Sequence, residues 1–238
     1  MAAGTIGDVS STDQTTAPAP EDPDGAPPPP RDRRTVLWAA LTVALIGLVA
    51  VLLIVGLTNR GVSTTIDDAI ARGERAEAPE FTLPLLVPGA PLTAPEGTEV
   101  SLSDLRGRPV VLNIWASWCD PCKDEAPVIR DIATDYAPQG VVVLGLNVRD
   151  LSGKGRAFAQ RYGLTFPSVR DGEGRVQNRF GATGVPETFV IDREGRVALA
   201  LRGPLVDRGR FANVDDFRRV LDQVVAERPG AGPSGGGS

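Results

Sequence analysis

Two cysteines and no histidine occur among the 238 residues of the chain. The cysteines stand as Cys119-Asp120-Pro121-Cys122, a C-x-x-C spacing suited to a thiol pair that cycles between dithiol and disulfide. In such a pair one thiolate attacks a disulfide, and the second resolves the mixed disulfide that forms. Placed at a helix N-terminus, the attacking cysteine is expected to be exposed and the resolving one to lie a turn further in. Other uses of two thiols fit less well. Structural zinc takes four ligands, usually Cys or His, and no others of those types remain. Haem attachment needs C-x-x-C-H, but Lys123 follows Cys122. A static bridge over so short a loop would remove little unfolded-state entropy. Cu(I) coordination by the two soft thiolates is the non-redox alternative. Without histidine there is no Ser-His-Asp or Cys-His arrangement, and no glycine-rich phosphate cradle is present. The expected cofactor list is empty: the redox group is the Cys119–Cys122 pair itself.

A strand and a helix must hold that pair. Pro109 to Trp115 is a nearly continuous apolar run and predicts a strand buried on both faces. Val141 to Val148 is a second such run, and the segment between them has helical composition. Together they predict a βαβ crossover with parallel strands, the cysteines opening the helix. Upstream, Glu80 to Leu83 predicts a strand start. Val100 to Leu105 follows, with Ser101 or Ser103 placed to cap a turn before Arg106-Gly107. Downstream, Gly155 to Tyr162 predicts a helix ended by Gly163. Thr188–Asp192 and Arg196–Leu201 predict an antiparallel hairpin around Arg193-Glu194-Gly195. Val214 to Arg228 carries Val214, Phe217, Val220, Leu221, Val224 and Val225 on one helical face. This order gives the expected fold class: an α/β, thioredoxin-like domain with a central mixed sheet flanked by helices.

The N-terminal part differs in kind. Residues 1–34 are rich in Ala, Pro, Ser, Thr and acids, and read as a disordered, Pro-rich cytoplasmic spacer. Thr35 to Leu57 contains no charge over 23 residues; at about 1.5 Å per residue this spans a ~30 Å hydrocarbon layer with some tilt. The leader is too long for a cleaved signal peptide and no A-x-A site follows, so 35–57 reads as a signal anchor in the lipid bilayer. Arg31, Arg33 and Arg34 crowd its N-terminal flank and lean toward a cytoplasmic N-terminus; the dithiol favours the same topology. Residues 58–77 then read as a linker with a helical turn near Asp67 to Arg72, 78–228 as the thioredoxin-like domain and 229–238 as a flexible tail. The net charge of −5 comes with no basic cluster interleaved with aromatics, so no nucleic-acid partner is expected.

Trp-Cys-x-Pro-Cys after a buried strand, with Gly184-Val185-Pro186-Glu187-Thr188-Phe189-Val190-Ile191-Asp192 further on, resembles the TlpA/ResA/CcmG group of membrane-tethered thiol–disulfide oxidoreductases. Phe81-Thr82-Leu83-Pro84 and Leu102-Ser103-Asp104-Leu105 extend the likeness, which runs from Ala78 to Arg228. The resemblance implies catalytic Cys119 and Cys122 and an active-site acid at Glu125. It also implies a cis-proline at Pro186 that leaves Val185 free to pair with an extended substrate. Trp118 should cover one side of the thiol, whereas Trp115 reads as core and Asp124 as solvated. Cys119 is the expected nucleophile. A thiol of pKa about 8.5 needs roughly 2 kcal/mol of stabilisation to be half ionised at pH 7, and a helix N-terminus supplies about 0.3–1 kcal/mol. Asp120, Asp124 and Glu125 oppose a further negative charge, so a reductant is expected rather than a strong oxidant. The resemblance points to apocytochrome c as substrate and a membrane thiol carrier as electron donor. Alternatives are reduction of copper-delivery or oxidase-assembly proteins, general disulfide oxidation, a peroxiredoxin-like peroxidase and Cu(I) binding without turnover. Ala116 stands where a peroxidase of that kind usually has Thr, which weighs against the peroxidase.

Overall fold

The computed structural model of the chain describes residues 32–58, 65–206 and 214–227. The tail expected over 229–238 lies outside the described residues, as does all of the expected Pro-rich segment except 32–34. The chain divides into two units, Met1–Leu57 and Thr58–Ser238. The described residues of the first lie almost wholly in helix α1 (Arg33–Thr58), which ends at the boundary. Its stretch Val36–Leu53 is long and apolar enough to cross a membrane.

Within the second unit the described elements are helix α2 (Thr65–Ala71) and strands β1 (Ala76–Glu77), β2 (Thr82–Val87), β3 (Glu99–Ser101) and β4 (Val110–Trp115). Helix α3 (Asp120–Tyr136), β5 (Val142–Val148), α4 (Ser152–Tyr162), β6 (Ser168–Asp171) and α5 (Arg175–Arg179) follow. Strands β7 (Glu187–Ile191) and β8 (Arg196–Arg202) and helix α6 (Val214–Ala226) complete it. The sheet runs β1-β8-β7-β4-β5-β6-β2-β3. Strands β4, β5 and β6 are parallel, while β7 runs antiparallel to β4, β8 to β7 and β2 to β6. This is the thioredoxin-like mixed sheet that the order of elements predicts.

Every residue of β4, β5 and β7 is buried, which is why these strands read as unbroken apolar runs rather than alternating ones. Side chains still alternate between faces. Leu112, Ile114, Leu144, Leu146 and Phe189 join one core cluster. Val111, Val143 and Val190 join another, with Ile129 and Ile132 of α3, Phe158 of α4, and Phe217 and Leu221 of α6. The turn after β3 is a single 3-10 turn, Leu102–Leu105, with Ser101 at its N-cap; the Asp104 carboxylate accepts the Ser101 N–H at 2.9 Å.

Three stretches depart from the sequence reading. The expected linker 58–77 is folded from Thr65 on: Ile66 and Ala69 are buried, and Ala76 of β1 pairs with Val197 of β8. The helical turn expected near Asp67 to Arg72 overlaps helix α2, but a segment this short carries no periodicity to show that its side chains are buried. Strand β6 and helix α5 also escaped, being four and five residues long and too short for a repeat to emerge.

Candidate active site

The sheet register gathers three chain segments at one end of β4. Trp115 of β4 pairs with Asn147 near the end of parallel β5, and Ile114 pairs with Glu187 at the start of antiparallel β7. Whatever follows β4 is therefore flanked by the segment after β5 and by the one before β7. Residues 116–119 make the turn from β4 into α3. Cys119 is the N-cap residue of α3, with extended backbone, and Pro121 sits in the first turn, where its missing N–H leaves no helix bond unmade. The Cys119 Sγ accepts the Cys122 N–H at 3.1 Å. The two sulfurs are joined in a disulfide whose Cα atoms are 5.3 Å apart.

Both cysteines are buried, each 3% exposed. That corrects the expectation of an exposed Cys119 in this oxidised state. Its side chain folds back to cap the helix and belongs to the apolar cluster of Trp115, Ala116 and Phe158. Trp118, at 58% exposure, is instead the open side chain beside the pair, its indole Nε1–H donating to the Arg149 carbonyl at 3.2 Å. Trp115 is core, as expected.

Two carboxylates, Asp150 and Glu187, fix this end of the sheet. Asp150 accepts the Ser117 N–H at 2.7 Å and the Ser117 hydroxyl at 2.8 Å. It also accepts bonds from Asn147 Nδ2 at 3.0 Å and the Leu151 N–H at 2.8 Å. Burial alone would raise its carboxyl, but these four bonds hold it below the usual carboxylate range. Arg149 beside it adopts φ 49°, a left-handed conformation uncommon for a non-glycine residue. Glu187 holds the loop before β7, accepting the N–H groups of Thr183 and Gly184 at 2.8 Å each and pairing with Arg202. Between these two N–H groups and Glu187 lie Val185 and Pro186, joined by a cis peptide bond. Val185 packs against the cluster that contains both cysteines.

Glu125 lies one turn past Cys122 on α3 and is 1% exposed. One carboxylate oxygen accepts the Leu205 N–H at 2.8 Å and the other accepts Asn113 Nδ2 at 2.9 Å. Desolvation outweighs both bonds and pushes the carboxyl up to about 7. Asp120 is paired with Lys123 at the surface, which keeps its carboxyl low, and Asp124 is exposed, as expected. The structure thus brings Cys119, Cys122, Glu125, Val185 and Pro186 to one end of the sheet with Trp118 at its edge. Asp150, Glu187 and Asn113 were not singled out from sequence. Asn113 carried a signal, being the one polar residue inside an apolar strand whose side chains are all buried; Asp150 and Glu187, in loop-flanking positions, carried none.

Residues 75–200 match the AhpC/TSA family. A thiol–disulfide oxidoreductase ResA from Geobacillus thermodenitrificans (strain NG80-2) is 36% identical over 183 residues, covering 77% of this chain and 93% of that protein. Among solved structures, a secreted thiol–disulfide isomerase from Corynebacterium glutamicum superposes with a TM-score of 0.55 at 28% identity, covering 65% of this chain and 89% of that one. A DsbE-type thiol:disulfide interchange protein from Chlorobium tepidum gives 0.52 at 28% identity, covering 63% and 96%. With the C-x-x-C pair at the head of a helix on a thioredoxin-like sheet, these matches make the chain a member of the AhpC/TSA family and, within it, a ResA-like thiol–disulfide oxidoreductase.

Proposed function

We propose that the protein reduces disulfides outside the cytoplasmic membrane. Residues 35–57 anchor it with the N-terminus in the cytoplasm, and its physiological substrate is the haem-binding C-x-x-C of apocytochrome c. Cys119 is the nucleophile and Cys122 the resolving thiol, with Glu125 assisting and Trp118, Val185 and Pro186 receiving the substrate. The observation that carries this reading is the buried Glu125 carboxyl, raised to about 7, one helical turn behind a disulfide that caps α3.

In the reduced protein, the Cys119 thiolate attacks one sulfur of the substrate disulfide and the other substrate sulfur leaves as a thiolate that takes a proton from water. Cys122 then loses its proton and attacks Cys119 Sγ, releasing the second substrate thiol and regenerating the Cys119–Cys122 disulfide. Two electrons pass to the substrate; a membrane thiol carrier returns them. A carboxylate that titrates near neutral pH on the same helix face as Cys122 suits acceptance of that proton. It also opposes a second negative charge nearby. The helix terminus and the Cys122 N–H favour a Cys119 thiolate by about 1–2 kcal/mol together, too little for a strongly acidic thiol. A reductant follows.

The test is the reduction potential of the pair, read from tryptophan fluorescence in defined thiol–disulfide buffers. A value at or below about −250 mV, near that of thioredoxin, supports a reductant, and a disulfide-bonded apocytochrome peptide is then the next substrate to assay. A value near about −120 mV, that of a strong oxidant, would recast the protein as a disulfide-forming enzyme.

A further inference from the structure

Beside the dithiol, between the start of α3 and the outer face of α4, lies an open hollow of about 290 Å³ lined by Ser117, Lys123, Lys154, Phe158, Arg161 and Tyr162. Sites for small-molecule cofactors run to roughly 300–1,000 Å³; this one is of a size for a single side chain with its backbone. Its composition is unusual for a chain with five more acidic than basic residues, because three cations meet over an aromatic floor. Lys123 is paired with Asp120, and the Arg161 guanidinium stands 5.7 Å from the Tyr162 ring centroid. Among the described residues, neither Lys154 nor Arg161 has a carboxylate within ion-pair distance.

Topology connects the hollow to the dithiol. Strand β4 lies between β7 and β5. A segment that pairs with Val185 before β7 and crosses Cys119 is therefore carried toward the segment after β5, where α4 begins. Ser117 marks the path: it stands two residues before Cys119, lines the hollow and is fixed by Asp150.

We propose that this hollow is a subsite for an acidic side chain of the substrate protein, flanking the disulfide that the Cys119–Cys122 pair acts on. Lys154 and Arg161 attract the carboxylate, and Phe158 and Tyr162 pack against its aliphatic stem. The inference rests on the dithiol reading above and adds a preference to it: acid-flanked disulfides are reduced faster than neutral or basic ones.

The full-length protein, reduced and held in neutral detergent micelles, is mixed with three synthetic peptides that share one internal disulfide and differ only in flanking residues: Glu, Gln or Lys. Exposed charge pairs contribute about 0.2–1 kcal/mol each. The Glu peptide should accordingly react roughly twofold to tenfold faster than the Gln peptide at low salt, with the ratio falling toward one near 1 M salt. The ratio, rather than any absolute rate, is the readout, so a change in the amount of active protein cancels. In K154Q/R161Q it should fall to about one, and in K154E the Lys peptide should become the better substrate. Equal rates for Glu and Gln peptides, or a preference that survives K154Q/R161Q, would overturn the subsite while leaving the dithiol in place. Failure to reduce any of the three peptides would overturn the dithiol reading and the subsite with it.

Discussion

Replacing Glu125 by glutamine should change how stability depends on pH. In the oxidised protein, burial raises the Glu125 carboxyl from its usual 4.5 to about 7. A raised folded-state pKa means that the fold prefers the protonated acid. The contribution is fully present below pH 4.5 and is lost as pH rises through 7. A shift of this size corresponds to about 3 kcal/mol between pH 4 and pH 8. The amide in E125Q cannot titrate, so this slope disappears in the variant. The substitution also has a pH-independent cost of about 1–3 kcal/mol, because the Leu205 N–H and Asn113 Nδ2 both need an acceptor and an amide offers one oxygen. The assay is urea unfolding of the oxidised protein and of E125Q at several pH values, followed by Trp115 fluorescence. The other carboxylates are common to both proteins and cancel in the difference. Relative to E125Q, the native protein should lose about 3 kcal/mol of unfolding free energy on going from pH 4.5 to pH 8. A difference that stays flat across that range would refute the assignment of a desolvated, near-neutral Glu125.

Three further outcomes follow from the same geometry. Cys122→Ala should accumulate a stable mixed disulfide between Cys119 and a substrate peptide, seen as a mass adduct, whereas Cys119→Ala should accumulate none; trapping through Cys122 alone would reverse the assigned roles. Asp150→Ala removes the acceptor for four hydrogen bonds and should destabilise the oxidised fold by about 2–4 kcal/mol in denaturant titration. Because the Asp150 carboxyl is held low, its contribution is present at neutral pH and is lost only in acid, so the gap between the two proteins should close there. Gly145→Ala would bring a Cβ to 2.2 Å from Ser168 Oγ and 2.7 Å from Trp115 Nε1; overpacking of this kind costs about 1–3 kcal/mol, read as a lowered midpoint of thermal unfolding.

The parts legible in the sequence were those written in repeats or in rare residues. Buried β4 and β5 showed as apolar runs, α6 showed its apolar face at helical spacing, and the cysteines stood out as the only pair. What sequence did not give was the polar scaffolding. Asp150 acts in part through the backbone N–H of Ser117, far from it in the chain, and Glu187 holds the loop carrying Pro186; neither arrangement leaves a pattern along the chain. The burial of Cys119 was also hidden. Exposure of a thiol depends on how the capping sulfur turns into the cluster around Trp115 and Phe158, which a C-x-x-C motif does not encode. Glu125 was set apart from Asp124 only by its likeness to the family's active-site acid; its near-complete burial came with the fold, while Asp124 stays exposed.

The eight-stranded sheet ends in β1, two residues long, and β3, three residues long. Short terminal strands present few unpaired N–H and C=O groups in a row, so another chain finds little to zip onto. If its substrates are extended, disulfide-bearing polypeptides, as the proposed function has it, the protein meets such segments at every turnover. Strands this short offer such segments less to zip onto at the two borders than full-length ones would, which favours their engagement at the end of β4, where the chemistry is.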